Sequence, residues 1–385
     1  MSVRHFETHS TDPYERGREL GAGRAAGIAG CWDRYRELWA AYAVTPAEVR
    51  SVGEAVLQPI AEFSSALRAE IAGIAAGADL AEWQVAALNA RSELLALGDQ
   101  RLLATGALPG EQVSECSTLV QLPDGGPPIS AQTWDWHATL HESWFVWTLR
   151  LPSGRTVHTL TEYGIVGKIG LAVDPPPRSG IGVHFNALRH RDDSGRGGVP
   201  AHVVSRRLLD EASTIADAAA IASDADVTAS AAITVTAMDD HGDWSARTVE
   251  LYPGGPAVLE HSDGNHGSWL AHTNHFVAGG VGPDAGVTSE LSTSRERLDR
   301  VAVLARTTDP SSAGCLGTPQ PLAEKLATHD LGERSVCVHG FPQAPIGQRA
   351  ATLAVVVAEP AAGRLHVHAG KACETRTASW WSNRG

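Results

Sequence analysis

The first 115 residues carry their apolar side chains at helical spacing. Ile28, Trp32, Tyr35, Trp39 and Tyr42 recur at intervals of four and three, one buried stripe of a helix. Thr45-Pro46-Ala47-Glu48 has the form of a capping box with proline at the first helical position, and Val49, Val52, Val56, Ile60 and Phe63 supply the face that follows. Asp79-Leu80-Ala81-Glu82 predicts a further helix through Leu95, with Asp79 as its cap. Near residue 116 the pattern changes to short apolar runs bounded by turn residues. Ser117–Leu122 and Ile129–Trp136 read as strands joined by Pro123-Asp124-Gly125-Gly126, and strands continue at Trp144–Leu151, Thr156–Thr161 and Ile181–Asn186. A helical stretch from His202 to Ala222 contains a second cap at Thr214-Ile215-Ala216-Asp217. Strands return at Ala231–Ala237, Ser245–Leu251, Ala257–Glu260 and Ser268–His272. Helices at Ser294–Arg306 and Pro321–His329 and strands at Ala351–Val357 and Arg364–Ala369 close the chain. Blocks of strands alternating with blocks of helices predict an α+β architecture and exclude a regular parallel βαβ repeat.

Composition narrows the function classes. With 31 Lys and Arg against 44 Asp and Glu, the formal charge is −13, which repels phosphate backbones and anionic lipid surfaces. Neither nucleic acid nor membrane is therefore expected as a partner. The N-terminus MSVRHFETHSTDPYERGREL has no apolar secretion core, and a soluble, cytoplasmic protein is expected. Cys31, Cys116, Cys315, Cys337 and Cys373 are odd in number and lack any C-x-x-C, which argues against a disulfide framework and against a cysteine zinc site. Seventeen histidines raise a zinc-hydrolase reading through His137-x-x-x-His141 and through His261, His266, His272 and His275. No His-Glu-x-x-His is present, however, and 137–141 has strand character. Gly-x-Ser-x-Gly and Walker motifs are absent as well. No metal and no cofactor is expected.

The most informative segment is Glu115-Cys116-Ser117-Thr118-Leu119-Val120-Gln121-Leu122-Pro123 with Ala131-Gln132-Thr133-Trp134-Asp135-Trp136-His137. A hairpin here returns Asp135 toward the start of the strand that Cys116 opens. The run Cys-Ser-Thr, Gln-Leu-Pro-Asp-Gly, Gln-Thr-Trp-Asp-Trp resembles the signature of the isopenicillin N acyltransferase (acyl-coenzyme A:aminopenicillanate acyltransferase) family, relatives of choloylglycine hydrolases. The stretches 70–78 and 88–93 are similar to the family's helical pro-segment. Residues 162–170, 186–188, His272-Thr273-Asn274-His275-Phe276 and Ser292-Thr293-Ser294-Arg295 follow its pattern in order. Three departures stand out: Glu115 where glycine is common, Leu171-Ala172 where an asparagine is expected, and a hairpin turn one residue longer.

The resemblance implies a four-layer αββα sandwich, the fold of N-terminal-nucleophile hydrolases, with residues 1–115 as a helical pro-segment packed on the catalytic chain 116–385. It further implies self-cleavage between Glu115 and Cys116. The freed α-amino group, with a reference pKa of roughly 7.7–8.0, would serve the Cys116 thiol as base. Asp135 would orient that amine, and Asn274 would donate to the oxyanion. Trp134, Trp136, His137, Glu162 and Tyr163 are the candidate substrate pocket, and Arg295 the candidate that ties the site together by an ion pair. The expected substrate is a small N-acyl amide, hydrolysed through a thioester on Cys116. The alternative is acyl transfer from a thioester or amide to an amine. A zinc-dependent hydrolase and an unprocessed binding protein rank below both. The two cleaved chains are expected to stay associated, and a homo-oligomer is left open.

Overall fold

The computed structural model describes residues 2–104, 116–124, 126–175, 180–264, 267–279, 281, 292–307, 319–340, 343–376 and 379–383. The helical start consists of α1 (Pro13–Gly23), α2 (Ala25–Ala41), α3 (Pro46–Ala55), α4 (Leu57–Phe63), α5 (Ser65–Ala78), α6 (Glu82–Asn89) and α7 (Arg91–Ala104), preceded by the short strand β1 (His5–Glu7). The stripe from Ile28 to Tyr42 is buried as its spacing requires. The box at Thr45 forms, with Glu48 N–H donating to Thr45 Oγ1 and Thr45 N–H to Glu48 Oε2. Asp79, expected as an N-cap, is instead the left-handed C-cap of α5, at φ 55°. Ala81 precedes α6, and the Gln84 side chain accepts from its amide at 2.9 Å. The predicted single helix through Leu95 is broken at Ala90 into α6 and α7.

Helices α1 and α5 pack with their backbones in contact. A Cβ on Gly17 would meet Glu70 O at 2.2 Å, and one on Gly73 would meet Tyr14 O at 2.0 Å. Only glycine permits that approach, and it brings the buried Arg16 guanidinium onto the Glu70 carboxylate at 2.5 Å.

From residue 116 onward the chain builds two sheets. The eight-stranded sheet runs β1-β4-β5-β6-β7-β8-β9-β10, from β4 (Trp144–Arg150), β5 (Thr156–Glu162), β6 (Ile169–Val173), β7 (Gly180–Ala187), β8 (Ala231–Met238), β9 (Trp244–Leu251) and β10 (Ala257–Glu260). The seven-stranded sheet runs β11-β12-β2-β3-β13-β14-β15. Its strands are β2 (Ser117–Leu122), β3 (Ile129–His137), β11 (Ser262–Gly264), β12 (Gly267–His272), β13 (Ala350–Glu359), β14 (Arg364–Ala369) and β15 (Trp381–Ser382). All pairings are antiparallel except β1 on β4. Strands β1, β6, β11 and β15 have no counterpart in the sequence reading: three of them are only two or three residues long and β6 is interrupted by Gly170, too little for a period of two to register.

The two sheets face each other. Apolar residues such as Leu171, Val356 and Ala358 fill the space between them, and polar side chains cross it. Gln132 Nε2 donates to Phe185 O at 2.5 Å, Thr118 Oγ1 donates to Asn186 Oδ1 at 2.7 Å, and His184 Nε2 lies 2.8 Å from Ser130 Oγ. Helices α8 (Ala201–Glu211) and α9 (Ile215–Ser223) pack on β6–β9, while α10 (Ser294–Thr307) and α11 (Gln320–Lys325) pack on the other sheet. The molecule is thus α+β, in an arrangement compatible with a sandwich. No helix among the described residues is long and apolar enough to cross a membrane.

Pro200, which precedes α8, has no side chain able to cap it. The carboxylate of Glu93 on α7 does so across the fold, accepting the Ala201 N–H at 3.0 Å. Burial pushes the Glu93 carboxyl up to about 7, against the pull of that hydrogen bond. A carboxyl whose folded pKa is raised favours the folded state below its unfolded pKa, and the advantage is lost as pH rises through the folded value. Glu93→Gln, which keeps the acceptor and removes the titration, should therefore flatten the loss of stability between pH 5 and 8 by about 2–3 kcal/mol. Urea unfolding at the two pH values measures it; an unchanged pH slope would show that Glu93 does not titrate in this range.

Candidate active site

The β2–β3 hairpin sets the geometry. Its register pairs Ser117 with Thr133 and Gln121 with Ile129. Alternation then turns Thr118 and Val120 toward the facing sheet, and Ser117, Leu119 and Gln121 toward α10; accordingly Ser117 Oγ meets Arg297 and Gln121 Nε2 donates to Ala305 O. Cys116, just before β2, is buried, and its Sγ lies 3.6 Å from the main-chain carbonyl of Asp135. Asp135 is fully buried on β3 opposite Thr352 of β13. Burial raises the Cys116 thiol to about 11 and the charge of Asp135 adds to the effect, while Lys168 and Arg297 pull it down. Glu115, the other half of the expected cleavage site, lies outside the described residues.

Strand β12 pairs with the other edge of β2, with His272 opposite Thr118, and so delivers Asn274 to the same place. The Asn274 side-chain amide donates to Ala187 O at 3.0 Å, and its backbone N–H donates to Ser294 Oγ at 2.8 Å. The residue that joins these parts is Arg297. Its Nη1 donates to Cys116 O at 3.1 Å and to Ser117 Oγ at 3.0 Å, and its Nη2 donates to Asn274 Oδ1 at 3.2 Å. Asn186 Nδ2 donates to the same Cys116 carbonyl at 3.0 Å.

The sequence reading placed the tying arginine at 295. Arg295 is exposed, two residues short of the side chain that performs the task. The helix explains the difference. Arg297, Val301 and Ala305 recur every four residues and are buried against the sheet, which turns residue 295 to solvent. Only the register of α10 on β2 and β12 distinguishes the two arginines.

A buried charge network underlies the tryptophans. Arg91 Nε on α7 lies 3.0 Å from Glu162 Oε2, Lys168 Nζ lies 3.4 Å from the same oxygen, and Tyr35 OH on α2 donates to Glu162 Oε1. The Arg91 guanidinium sits 4.0 Å over the Trp136 ring and Lys168 Nζ 3.8 Å over Trp134. Burial and then the charge of Arg91 press the Lys168 ammonium down to about 7. Glu162 stays below the usual carboxylate range: burial would raise it, but Arg91, Lys168 and the Tyr35 hydroxyl outweigh that cost. Glu162 and Trp134 are therefore floor residues. Trp136, His137 and Asn274 line a small cleft whose opposite wall includes Leu95 and Asp99 of α7. Tyr163 packs elsewhere, stacked on Phe145 at 4.7 Å. The histidines weighed as zinc ligands are not gathered among the described residues: His272 Nε2 lies 2.8 Å from Glu250, His275 Nδ1 lies 2.7 Å from Ser294 Oγ, and His141 is exposed. His266 lies outside the described residues.

Comparison with known proteins places the chain in a family. Residues 122–372, well over half of the chain, match the model of the family described as acyl-coenzyme A:6-aminopenicillanic acid acyl-transferase. The chain belongs to this acyltransferase family. A curated relative, the acyl-coenzyme A:6-aminopenicillanic-acid-acyltransferase 40 kDa form of Emericella nidulans, is 28% identical over 270 residues, which span 70% of this chain and 66% of the relative. The family span contains Asp135, Lys168, Asn274 and Arg297, and Cys116 lies six residues before its start. Arg297, Asn186, Arg91 and Lys168 were missed as site residues in the sequence; the signal available was that Arg91, Lys168 and Asn186 fall within the stretches that resemble the family.

Arg297→Met removes a charged donor from three buried acceptors and should lower unfolding stability by about 3 kcal/mol, since hydrogen bonds to charged groups contribute roughly 1.5–3 kcal/mol each and are not additive. Arg295→Met should change it by less than about 0.5 kcal/mol. Chemical denaturation of both variants tests the assignment; equal effects would remove Arg297 from the centre of the site.

Proposed function

We propose that the chain is an autoproteolytically activated acyltransferase, with Cys116 as an N-terminal nucleophile on a four-layer αββα sandwich of the N-terminal-nucleophile hydrolase type. The observation that carries the reading is the convergence on Arg297, which holds the Cys116 carbonyl and the Asn274 amide in one grip. In the uncut chain a buried thiol near pKa 11 is a poor nucleophile at neutral pH. Cleavage before Cys116 releases an α-amino group a few atoms from Sγ, with a pKa near 8, able to take the thiol proton. The thiolate attacks the acyl carbonyl, the leaving thiol or amine departs with a proton, and a thioester forms on Cys116. An incoming amine then displaces the sulfur. Asp135 orients the α-amino group, and Asn274 donates to the oxyanion in both steps.

Family membership supports the acceptor that the sequence reading ranked second. The names of the family and of the Emericella nidulans relative carry acyl-coenzyme A as donor, so an acyl thioester and an amine are the proposed substrate classes here, with water as the competing acceptor. The pro-segment would stay bound after the cut. It supplies Arg91 and Tyr35 to the network beneath the site and Leu95 and Asp99 to the cleft.

Intact-mass analysis should find two co-purifying chains, the larger beginning at Cys116, and a single chain for Cys116→Ala. A wild-type protein that is active but uncut would overturn the mechanism. With an acyl-coenzyme A and a panel of primary amines, the mature enzyme should form amide faster than free acid and carry the acyl mass on Cys116; free acid alone with every amine would restore the hydrolase reading.

Asn274→Ala, assayed on the cleaved fraction, should reduce kcat by roughly a hundredfold to a thousandfold with little change in KM, as for loss of one preorganised oxyanion donor. An unchanged kcat with a raised KM would make Asn274 a substrate contact instead.

A further inference from the structure

Away from the cleft, four side chains from three separate segments converge. His329 lies in the loop after α11, Cys337 and His339 in the segment that leads toward β13, and Cys373 in the short 3-10 turn Ala372–Glu374 after β14. Their ligand atoms all lie within 4.8 Å of one another. His329 Nε2 is 2.9 Å from His339 Nε2, and His339 Nε2 is 3.4 Å from Cys373 Sγ and 3.8 Å from Cys337 Sγ. Neither cysteine is in a disulfide.

We propose that these four residues form a Cys2His2 site for a structural zinc ion. Zinc bound by two thiolates at about 2.3 Å and two imidazoles at about 2.0–2.1 Å in a tetrahedron separates its ligand atoms by about 3.3–3.8 Å, close to the spacings already present. Thiolate with imidazole is the donor set that selects zinc over calcium or magnesium. Binding displaces the two thiol protons to solvent and leaves a complex of zero net charge. Four protein ligands fill the tetrahedron, which leaves no open position for catalysis. Cys337 is buried, whereas His329 and His339 are exposed, so the ion enters from the solvent side.

The ion would bear on the active site through one intervening residue pair. Val338, between two of the ligands, donates its N–H to Thr352 Oγ1 at 2.9 Å and accepts the Thr352 N–H at 3.0 Å. Thr352 is the cross-strand partner of Asp135, at the place where the β13 register shifts. Zinc would thus clamp the segment that backs the Asp135 strand. The site rests on side-chain convergence and does not depend on the acyl-transfer reading.

The test uses untagged full-length protein purified in reductant without chelator. Elemental analysis should give one zinc per chain. The chelator-stripped protein, titrated with cobalt(II) chloride, should develop a thiolate-to-metal charge-transfer band and the visible absorption of a tetrahedral site. Cys373→Ser should weaken that charge-transfer band. His329→Ala, a change at an exposed residue, should lower zinc affinity by at least about a hundredfold, beyond the ten- to hundredfold cost of losing an outer-shell partner. Zinc should raise the Tm of wild type and not of the variants. Substoichiometric zinc with no cobalt–thiolate band, a Cys337–Cys373 disulfide persisting in reductant, or a His329→Ala variant that binds zinc like wild type would each overturn the proposal. An enzyme that binds zinc yet transfers no acyl group would leave the site standing and remove only the reading of the previous subsection.

Discussion

Everything at the site depends on the register of β2 between β3 and β12. With Ser117 opposite Thr133 and Thr118 opposite His272, three chain segments far apart in sequence bring Cys116, the Asp135 carbonyl and Asn274 together. A slip of one residue would turn Ser117 away from Arg297 and Thr118 away from Asn186, because side chains alternate between faces. Burial holds the register. Leu119 and Ala131 fit the helical layer, and Val120 and Leu122 fit the facing sheet, so a shifted strand would expose one set and bury the polar residues of the other.

The buried charges impose a second constraint. Glu162 is fully enclosed and would be costly if unpaired; Arg91, Lys168 and Tyr35 provide its partners. Glu70 is enclosed in the same manner by Arg16 and Arg206. In both clusters some of the groups come from before residue 116 and others from after it. Separating the two parts would strand several charges in an apolar interior, which gives a physical reason for the chain, if cut as proposed, to remain one particle.

Much was legible from the sequence alone. Helix patterning before residue 116, the strand blocks after it, the capping boxes at Thr45 and Thr214 and the β2–β3 hairpin rest on local periodicity and turn chemistry. Local signals also misled. Asp79 has the composition of an N-cap but terminates α5, its left-handed backbone letting its own N–H and that of Leu80 donate to Ala75 O. The three-residue β1 and the glycine-interrupted β6 left no pattern to read.

Sequence by itself determined the class of fold, the resemblance to an acyltransferase family and the candidates Cys116, Asp135 and Asn274, because these depend on residues near one another in the chain or on motifs in a fixed order. Tertiary structure alone decided that Arg297 and not Arg295 grips the site, that Trp134 and Glu162 form its floor, that Tyr163 belongs to the packing around Phe145, and that His329, Cys337, His339 and Cys373 meet. The reason is geometric. Which face a helix turns inward and which distant loops converge are set by how whole layers dock, and no window of the sequence contains that information.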